Sequence, residues 1–312
     1  MRSKFRKVAR RTLLAVTLLL GVVAGSFTLF NVVPGDPARI ILGPTASEDS
    51  VRQLRHALGT DRPLWDQGKD YLWRIAHLDF GRSVIDRRSV KSEVISKFWI
   101  TGTLGVLAAL ISLSLSYLLN LTAFHFPRVS FVLRLVNLGA VAPTFFTGVT
   151  AALLFGVWFP IVPLTGFGDT GAHWTTLLLP AFVASLYSVA LMTRLLHEEL
   201  VRASESDFAR AAKAYGFPRW SIFHQTLLRP VAVTWLAAWV NQISVIFVAS
   251  FILEVIFSIP GVGSLLISTI QRKDYPMLEG ILLVNAVFFI SLSWLSDTLF
   301  AWIDPRAEEY EG

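Results

Sequence analysis

A carboxylate inside an uncharged apolar run is the first place to look for chemistry, because a charge near the centre of a bilayer costs about 2.5 kcal/mol or more. Two residues qualify, Glu254 and Asp297. Both fall toward the ends of their runs, where water and snorkelling lower the cost. Pairing or a helix-end role therefore suits them better than direct contact with a solute. Asn241 and Gln242 sit within an apolar run, where amides serve to hydrogen-bond one helix to another. Pro143 and the Pro260-Gly261 pair interrupt apolar stretches, and a broken helix is tolerated in a membrane where neighbouring groups re-satisfy the backbone. Pro143, Asn241, Glu254, Pro260 and Gly261 are thus the candidates for lining or gating a pathway.

Catalytic signatures are missing. No G-x-x-x-x-G-K-[ST] stretch is present to cradle nucleotide phosphates, and there is no H-E-x-x-H or G-x-S-x-G. The six histidines, His56, His77, His125, His173, His197 and His224, are scattered without metal-ligand spacing. With no cysteine, neither a disulfide framework nor a thiolate metal site can form. These residues describe a chain that is not an enzyme and holds no metal.

The elements that must position the candidates are membrane spans. At 54% apolar and 16% charged, 312 residues are too greasy for a soluble domain. Residues 1–11 hold six basic side chains and no acid, and the uncharged run 12–33 follows. That run is too long for the apolar core of a signal peptide of about 7–15 residues, so it reads as a retained first span. Further spans are expected over 98–123, 134–158 (with Pro143 as a kink), 174–194, 231–253 and 278–303. Between the first two, residues 34–97 mix eleven basic and nine acidic residues, which describes a small extramembrane domain. Pro34-Gly35-Asp36-Pro37 opens it with a turn, and Gly59 is expected to stop a helix begun near Ser47. The net charge of +6 is spread over segments between apolar runs, so it reflects the positive-inside rule rather than nucleic-acid binding. Both termini, including the tail 304–312, are then expected in the cytoplasm. Small residues at helical spacing, Gly102, Gly105, Ala108, Ala109, Ser112 and Ser116, suit close helix packing in the second span.

The polar island Ser204 to Pro230 is more structured than a connection requires. Ser204-x-x-Asp207 loosely matches a capping box, and Glu205 and Asp207 favour a helix start. Phe208 to Tyr215 is a strong helix former, Gly216 supplies a left-handed stop and Pro218 prevents continuation. Ala211 and Ala212 are small enough to let a partner approach the backbone, and Phe208 and Tyr215 offer aromatic anchors. Physics alone leaves two readings of this helix. It either docks on another protein or lies on the inner leaflet with its basic residues against anionic lipid.

The stretch Asp207-Phe-Ala-Arg-Ala-Ala-Lys-Ala-Tyr-Gly216 resembles the EAA loop of ABC-importer permeases, in the form used by the dipeptide/oligopeptide/nickel permease family. Pro34-Gly-Asp-Pro37, Leu58-Gly59 with Asp61-Arg-Pro-Leu64, Asp79-Phe-Gly81, Pro143 with Gly148, Glu254-Val-Ile-Phe-Ser-Ile-Pro-Gly-Val-Gly263, Arg272-Lys-Asp-Tyr-Pro276 and Asp304-Pro305 are similar to its landmarks in order and spacing. The resemblance implies an all-α integral membrane protein of the bacterial cytoplasmic (inner) membrane. Its implied architecture is six transmembrane helices in the type I ABC importer permease fold, with a small extracytoplasmic domain after the first span. It also implies a second homologous permease subunit, two cytoplasmic ATPase subunits that use ATP and Mg, and an extracytoplasmic solute-binding protein. No cofactor is expected on this chain. Within the loop 197–230, Asp207, Phe208, Arg210, Ala211, Ala212, Tyr215 and Gly216 would be the coupling residues. The implied cargo is di- or oligopeptide. Nickel, a metallophore complex or another small solute is the alternative within the family, and a non-transporting membrane scaffold is the alternative outside it.

Overall fold

The computed structural model describes residues 2–32, 37–43, 45–126, 128, 130–139, 142–160 and 174–303. Pro34 to Asp36, most of the expected loop from Phe159 to His173 and the tail with Asp304-Pro305 lie outside the described residues, as does the side chain of Asp297. Among the described residues every regular element is helical, and a lone antiparallel bridge joins Arg82 to Ser89. In chain order these are α1 (Arg2–Val32), α2 (Pro37–Leu42), α3 (Glu48–Leu58), α4 (Leu64–Ala76), α5 (Val90–His125), α6 (Ser130–Gly139), α7 (Thr144–Ala152), α8 (Trp174–Ser204), α9 (Asp207–Ala214), α10 (Arg219–Ser221), α11 (Arg229–Ile256), α12 (Val262–Arg272) and α13 (Tyr275–Ile303). Five helical stretches are long and apolar enough to cross a membrane: Val8–Thr28, Val90–His125, Thr175–Ser204, Arg219–Ile256 and Tyr275–Ser296.

The expected third span departs from a single kinked helix. Pro143 has no N–H to donate and disfavours helical backbone at the residue before it. The run accordingly divides into α6 and α7, with Pro143 at φ −59° and ψ 141° immediately before α7. Helix α7 continues through a π-turn at Leu153–Trp158, so the apolar helix Thr144–Trp158 is short. Helix α8 runs through Pro180 and extends beyond Arg194 to Ser204, with ion pairs Arg194–Glu198 (2.8 Å) and Arg202–Glu199 (2.9 Å) along its polar end. The island's second helix and the expected fifth span form one helical path, with a π-turn at Ile222–Leu228 leading into α11.

The chain forms two compact units. One comprises residues 100–264 with the two chain ends, and the other comprises residues 9–99 with 265–291. In the first, Leu104, Ala108, Ala109, Leu177, Ala181, Ala184, Ile246 and Leu253 build a core between α5, α8 and α11. The small-residue stripe of α5 faces this core: Ala108, Ala109, Ser112 and Ser116 are buried, and a Cβ on Gly105 would touch Phe247 at 3.7 Å. Close approach lets Trp239 Nε1 donate to Ala109 O and Ser112 Oγ, each at 3.1 Å, while Trp235 Nε1 donates to Met192 O at 3.2 Å.

In the second unit, Val23 of α1, Tyr71 of α4 and Leu283 of α13 share a core. Helix α3 is capped at both ends. Ser47 Oγ accepts from Ser50 N–H at 3.3 Å, and Gly59 (φ 68°) and Thr60 donate back to His56 O and Arg55 O. The segment after α4 is held from both sides. Ser83 Oγ donates to the Asp274 carboxylate and accepts from Ile85 and Asp86 N–H, each at 3.2 Å, and Val84 N–H donates to Asp274 at 3.3 Å. Arg88 Nε donates to Asp86 at 2.7 Å, and that guanidinium holds the Asp86 carboxyl down at about 2. Asp274 is buried, so its partners have no water to fall back on. Asp274→Ala should destabilise the protein by about 1–3 kcal/mol. Faster tryptic cleavage at Arg87 or Arg88 and a lower unfolding midpoint in detergent would report it.

Candidate functional site

Two built features lie in the first unit. The first is α9. Ser204 still has helical backbone at the end of α8 and cannot act as the expected cap, and its hydroxyl donates to Val201 O at 2.7 Å. The cap is Ser206, in extended conformation, whose Oγ accepts from Ala209 N–H at 3.2 Å and donates to Ala203 O at 2.7 Å. Arg210 clamps the same junction by donating Nη2 to Glu205 O at 2.9 Å, with Asp207 at 3.7 Å. At the other end Gly216 is left-handed (φ 74°). Gly216 N–H donates to Lys213 O at 3.1 Å and Phe217 N–H to Ala212 O at 3.2 Å, a Schellman stop.

The faces of α9 differ from the sequence expectation in one respect. Ala212 is not open to a partner. It is buried with Ala209 against Met192, Leu196, Leu200, Ile222, Phe223 and Leu227, because the helix must itself pack on the end of α8 and the π-turn. Asp207, Phe208, Arg210, Ala211, Lys213, Ala214 and Tyr215 are outward, with Phe208 71% and Tyr215 84% exposed. Phe208, Ala211 and Tyr215 follow i, i+3, i+7 spacing and form one stripe. Below α9 the π-turn is tied to α5: His224 Nε2 is 2.7 Å from the Tyr117 hydroxyl, and Arg219 Nη1 donates to His125 O at 3.2 Å.

The second feature gathers Glu254, Pro260 and Gly261. Helix α11 ends with Ser258 left-handed at φ 54°, and Ile259 N–H donates back to Glu254 O at 2.8 Å. The chain then turns at Pro260-Gly261 into α12. Glu254 is fully buried, and its carboxylate caps the start of α12 by accepting from Gly263 N–H at 2.7 Å and Ser264 N–H at 3.2 Å. Those are helix donors without intrahelical partners, and an anion there also meets the positive end of the helix dipole. Thr101 of α5 completes the network. Its Oγ1 donates to Glu254 Oε1 at 2.5 Å and accepts from Val262 N–H at 2.8 Å. A Cβ on Gly261 would overlap the Glu254 carboxylate, and one on Gly263 would overlap the Phe251 backbone, so both glycines are packing requirements.

Asn241 is not part of this cluster. Its Oδ1 accepts from Ser296 Oγ at 2.8 Å, while Gln242 Oε1 accepts from Ser188 Oγ at 3.2 Å, so both amides link helices. Pro143 is exposed at the start of α7. Two polar residues escaped the sequence reading. Thr101 gave no signal, being one hydroxyl in an apolar run 153 positions from its partner. Glu279 is a third carboxylate within an expected span, one residue past the start of 278–303. Burial, together with this nearby carboxylate, pushes the Tyr71 hydroxyl up. Among the described residues no group of three or more His, Cys, Asp or Glu side chains could hold a metal ion.

A polar, doubly capped helix thus lies between long apolar helices, and a carboxylate-capped break follows the next of them. The family model for the binding-protein-dependent transport system inner membrane component matches residues 102–309, and the model for the N-terminal part of such membrane components matches residues 4–105. The chain belongs to this permease family. It is 29% identical over 306 residues to a peptide transport system permease protein of Brucella abortus, covering 96% of this chain and 98% of that one. Glutathione transport system permease proteins of Salmonella choleraesuis and Escherichia coli O1:K1 / APEC are each 28% identical over 303 residues, covering 96% of this chain and 97% of theirs. A permease of this family is a membrane-embedded transport component rather than an enzyme, and the other components of the transport system are its partners.

For this permease the buried Thr101 network makes a sharp prediction. Thr101→Val keeps the shape but unpairs Val262 N–H and one Glu254 oxygen, at about 1–3 kcal/mol for each group. Thermal unfolding in detergent should show Thr101→Val well below wild type and Thr101→Ser near it.

Proposed function

We propose that this permease forms half of the translocation pathway of an ATP-driven importer for peptides. Its cargo would be delivered by an extracytoplasmic solute-binding protein, and the other half supplied by a second, homologous permease. Relatives named as peptide and glutathione permeases support the cargo class. ATP and Mg²⁺ would be used by two cytoplasmic ATPase subunits. Ser206 to Gly216 is the coupling element in this reading, seated in a groove on one ATPase subunit. The observation that carries it is the exposed Phe208–Ala211–Tyr215 stripe on a helix whose opposite face, Ala209 and Ala212, is packed into the permease. A helix fixed on one side and bearing two aromatic anchors on the other can transmit a push. Caps at both ends and Arg210 across the junction keep it from fraying under load.

In the proposed topology both termini and α9 are cytoplasmic, α6 and α7 together take the place of the third span, and residues 34–97 lie outside. Single cysteines in this cysteine-free chain test it. A cysteine at Ser50 should react with an impermeant thiol reagent from outside, and one at Ala214 only after the inner face is opened. The reverse pattern would refute the topology.

Coupling has its own test. Phe208→Ala with Tyr215→Ala should leave the unfolding midpoint unchanged, because both side chains are exposed. Loss of two anchors worth about 2 kcal/mol each should weaken ATPase-subunit binding by far more than tenfold and abolish ATP-driven uptake. Wild-type binding and uptake by the double variant would rule out this surface as the coupling contact.

A further inference from the structure

Helix α4 carries a surface that the transport reading does not use. Trp65, Leu72 and Ala76, spaced i, i+7, i+11, form one exposed stripe with Trp73 at its edge, and Trp65 and Trp73 are 74% and 69% exposed. Asp66, Gln67, Asp70 and Arg74 lie around the rest of the outer surface. Two exposed tryptophans and a leucine on a short helix inside a charged segment call for an apolar neighbour.

The depth of that stripe relative to the membrane can be read from its anchors. Tyr71, the buried residue of α4, places its hydroxyl 2.9 Å from Ser26 Oγ of α1 and packs with Leu283 of α13, and burial together with the nearby Glu279 carboxylate of α13 pushes its hydroxyl pKa up. Ser26 lies in the last third of the uncharged run 12–33, seven residues before its end, and Glu279 lies four residues after the start of α13. Both anchors therefore lie toward the same side of the membrane, near the end of one crossing helix and the start of another. Helix α4 is also held close to α1: a Cβ on Gly68 would meet the Phe27 ring at 3.6 Å, and the Phe27 and Tyr71 rings are 5.4 Å apart. Lys69 Nζ stands 5.3 Å from the Trp65 ring, so a cation lies beside the apolar stripe. Tryptophan beside lysine is the composition of a membrane interface, where the ring spans the polar–apolar boundary and the ammonium meets phosphate. Helix α1 itself leaves Leu13, Leu18 and Leu20 exposed, as a helix of spanning length and composition requires in lipid.

We infer that α4 lies in the headgroup layer of the bilayer at the end where α1 terminates and α13 begins, with Trp65, Leu72 and Trp73 dipped into lipid and Lys69 on phosphate. This rests only on α1 and α13 crossing the membrane and is independent of the cargo and of the coupling role of α9. It gives α4 the task of fixing the depth and tilt of α1 and α13 through Tyr71.

Spin labels on single cysteines test it, with the permease assembled with its transport partners in nanodiscs of phosphatidylethanolamine and phosphatidylglycerol. Labels at Trp65→Cys and Leu72→Cys should collide several-fold more with oxygen, and several-fold less with nickel-EDDA, than a label at Asp70→Cys. Equal nickel-EDDA accessibility at all three positions would overturn the inference. So would labels at 65 and 72 shielded from both reagents, because that is the mark of a protein partner on the stripe. Native tryptophan fluorescence offers a second reading that needs no cysteine. Lipids brominated at shallow acyl positions should quench wild type more than Trp65→Phe with Trp73→Phe, and identical quenching would count against the placement.

Discussion

A helix that breaks between membrane spans exposes backbone donors and acceptors that lipid cannot satisfy, and the protein must satisfy them itself. The α11–α12 junction shows how. One carboxylate, Glu254, accepts from two N–H groups at the start of α12, and one hydroxyl, Thr101, bridges that carboxylate to a third. The cap carries its own steric conditions. Glycine is required at 261 so that the carboxylate can lie against the backbone, and at 263 so that α12 can pass Phe251. The stretch from Glu254 to Gly263 is therefore a single device for turning a span into a second short helix.

The same economy governs the polar island. Helix α9 has only eight residues, too few to be stable alone, and it holds its shape because its unpaired groups are met at both ends. Ser206 serves the start, the left-handed Gly216 serves the end, and Ala209 and Ala212 fill the space above Phe223 and Leu227. Rigidity and exposure are divided between opposite faces: Ala209 and Ala212 pack inward while Phe208, Ala211 and Tyr215 stay exposed. The 2.7 Å contact of His224 with Tyr117 ties the π-turn beneath α9 to the last third of α5.

Glycine stops were legible before the structure. Gly59 and Gly216 both adopt the left-handed conformation that ends a helix, as their place after apolar-periodic stretches suggested. Leu78, Ser258 and Lys273 adopt the same conformation at the ends of α4, α11 and α12, and none carries a local signal because a side chain is disfavoured there. Contacts from far along the chain hold the neighbourhood of two of them: Asp274, next to Lys273, is pinned by Ser83, and Glu254, four residues before Ser258, by Thr101. Pro143 was visible as an interruption, but whether it kinks a helix or separates two depends on what packs around it, and here it separates α6 from α7. The misplaced cap at Ser204 has a related cause. Serines at 204 and 206 are equivalent in composition, and only the actual end of α8 decides which one leaves helical backbone.

What the sequence by itself determined is the class of protein: apolar runs of spanning length, a polar island with its own stop, and ordered landmarks along nearly the whole chain. Those features depend on composition and local spacing, which need no third dimension. Tertiary structure alone decided the employment of each polar group. Glu254 became a helix cap, Asn241 a link to Ser296, Ala212 a packing residue and Glu279 the neighbour of a tyrosine in α4. A buried polar atom is defined by the atom it meets, and in this chain that atom is in several cases more than fifty residues away.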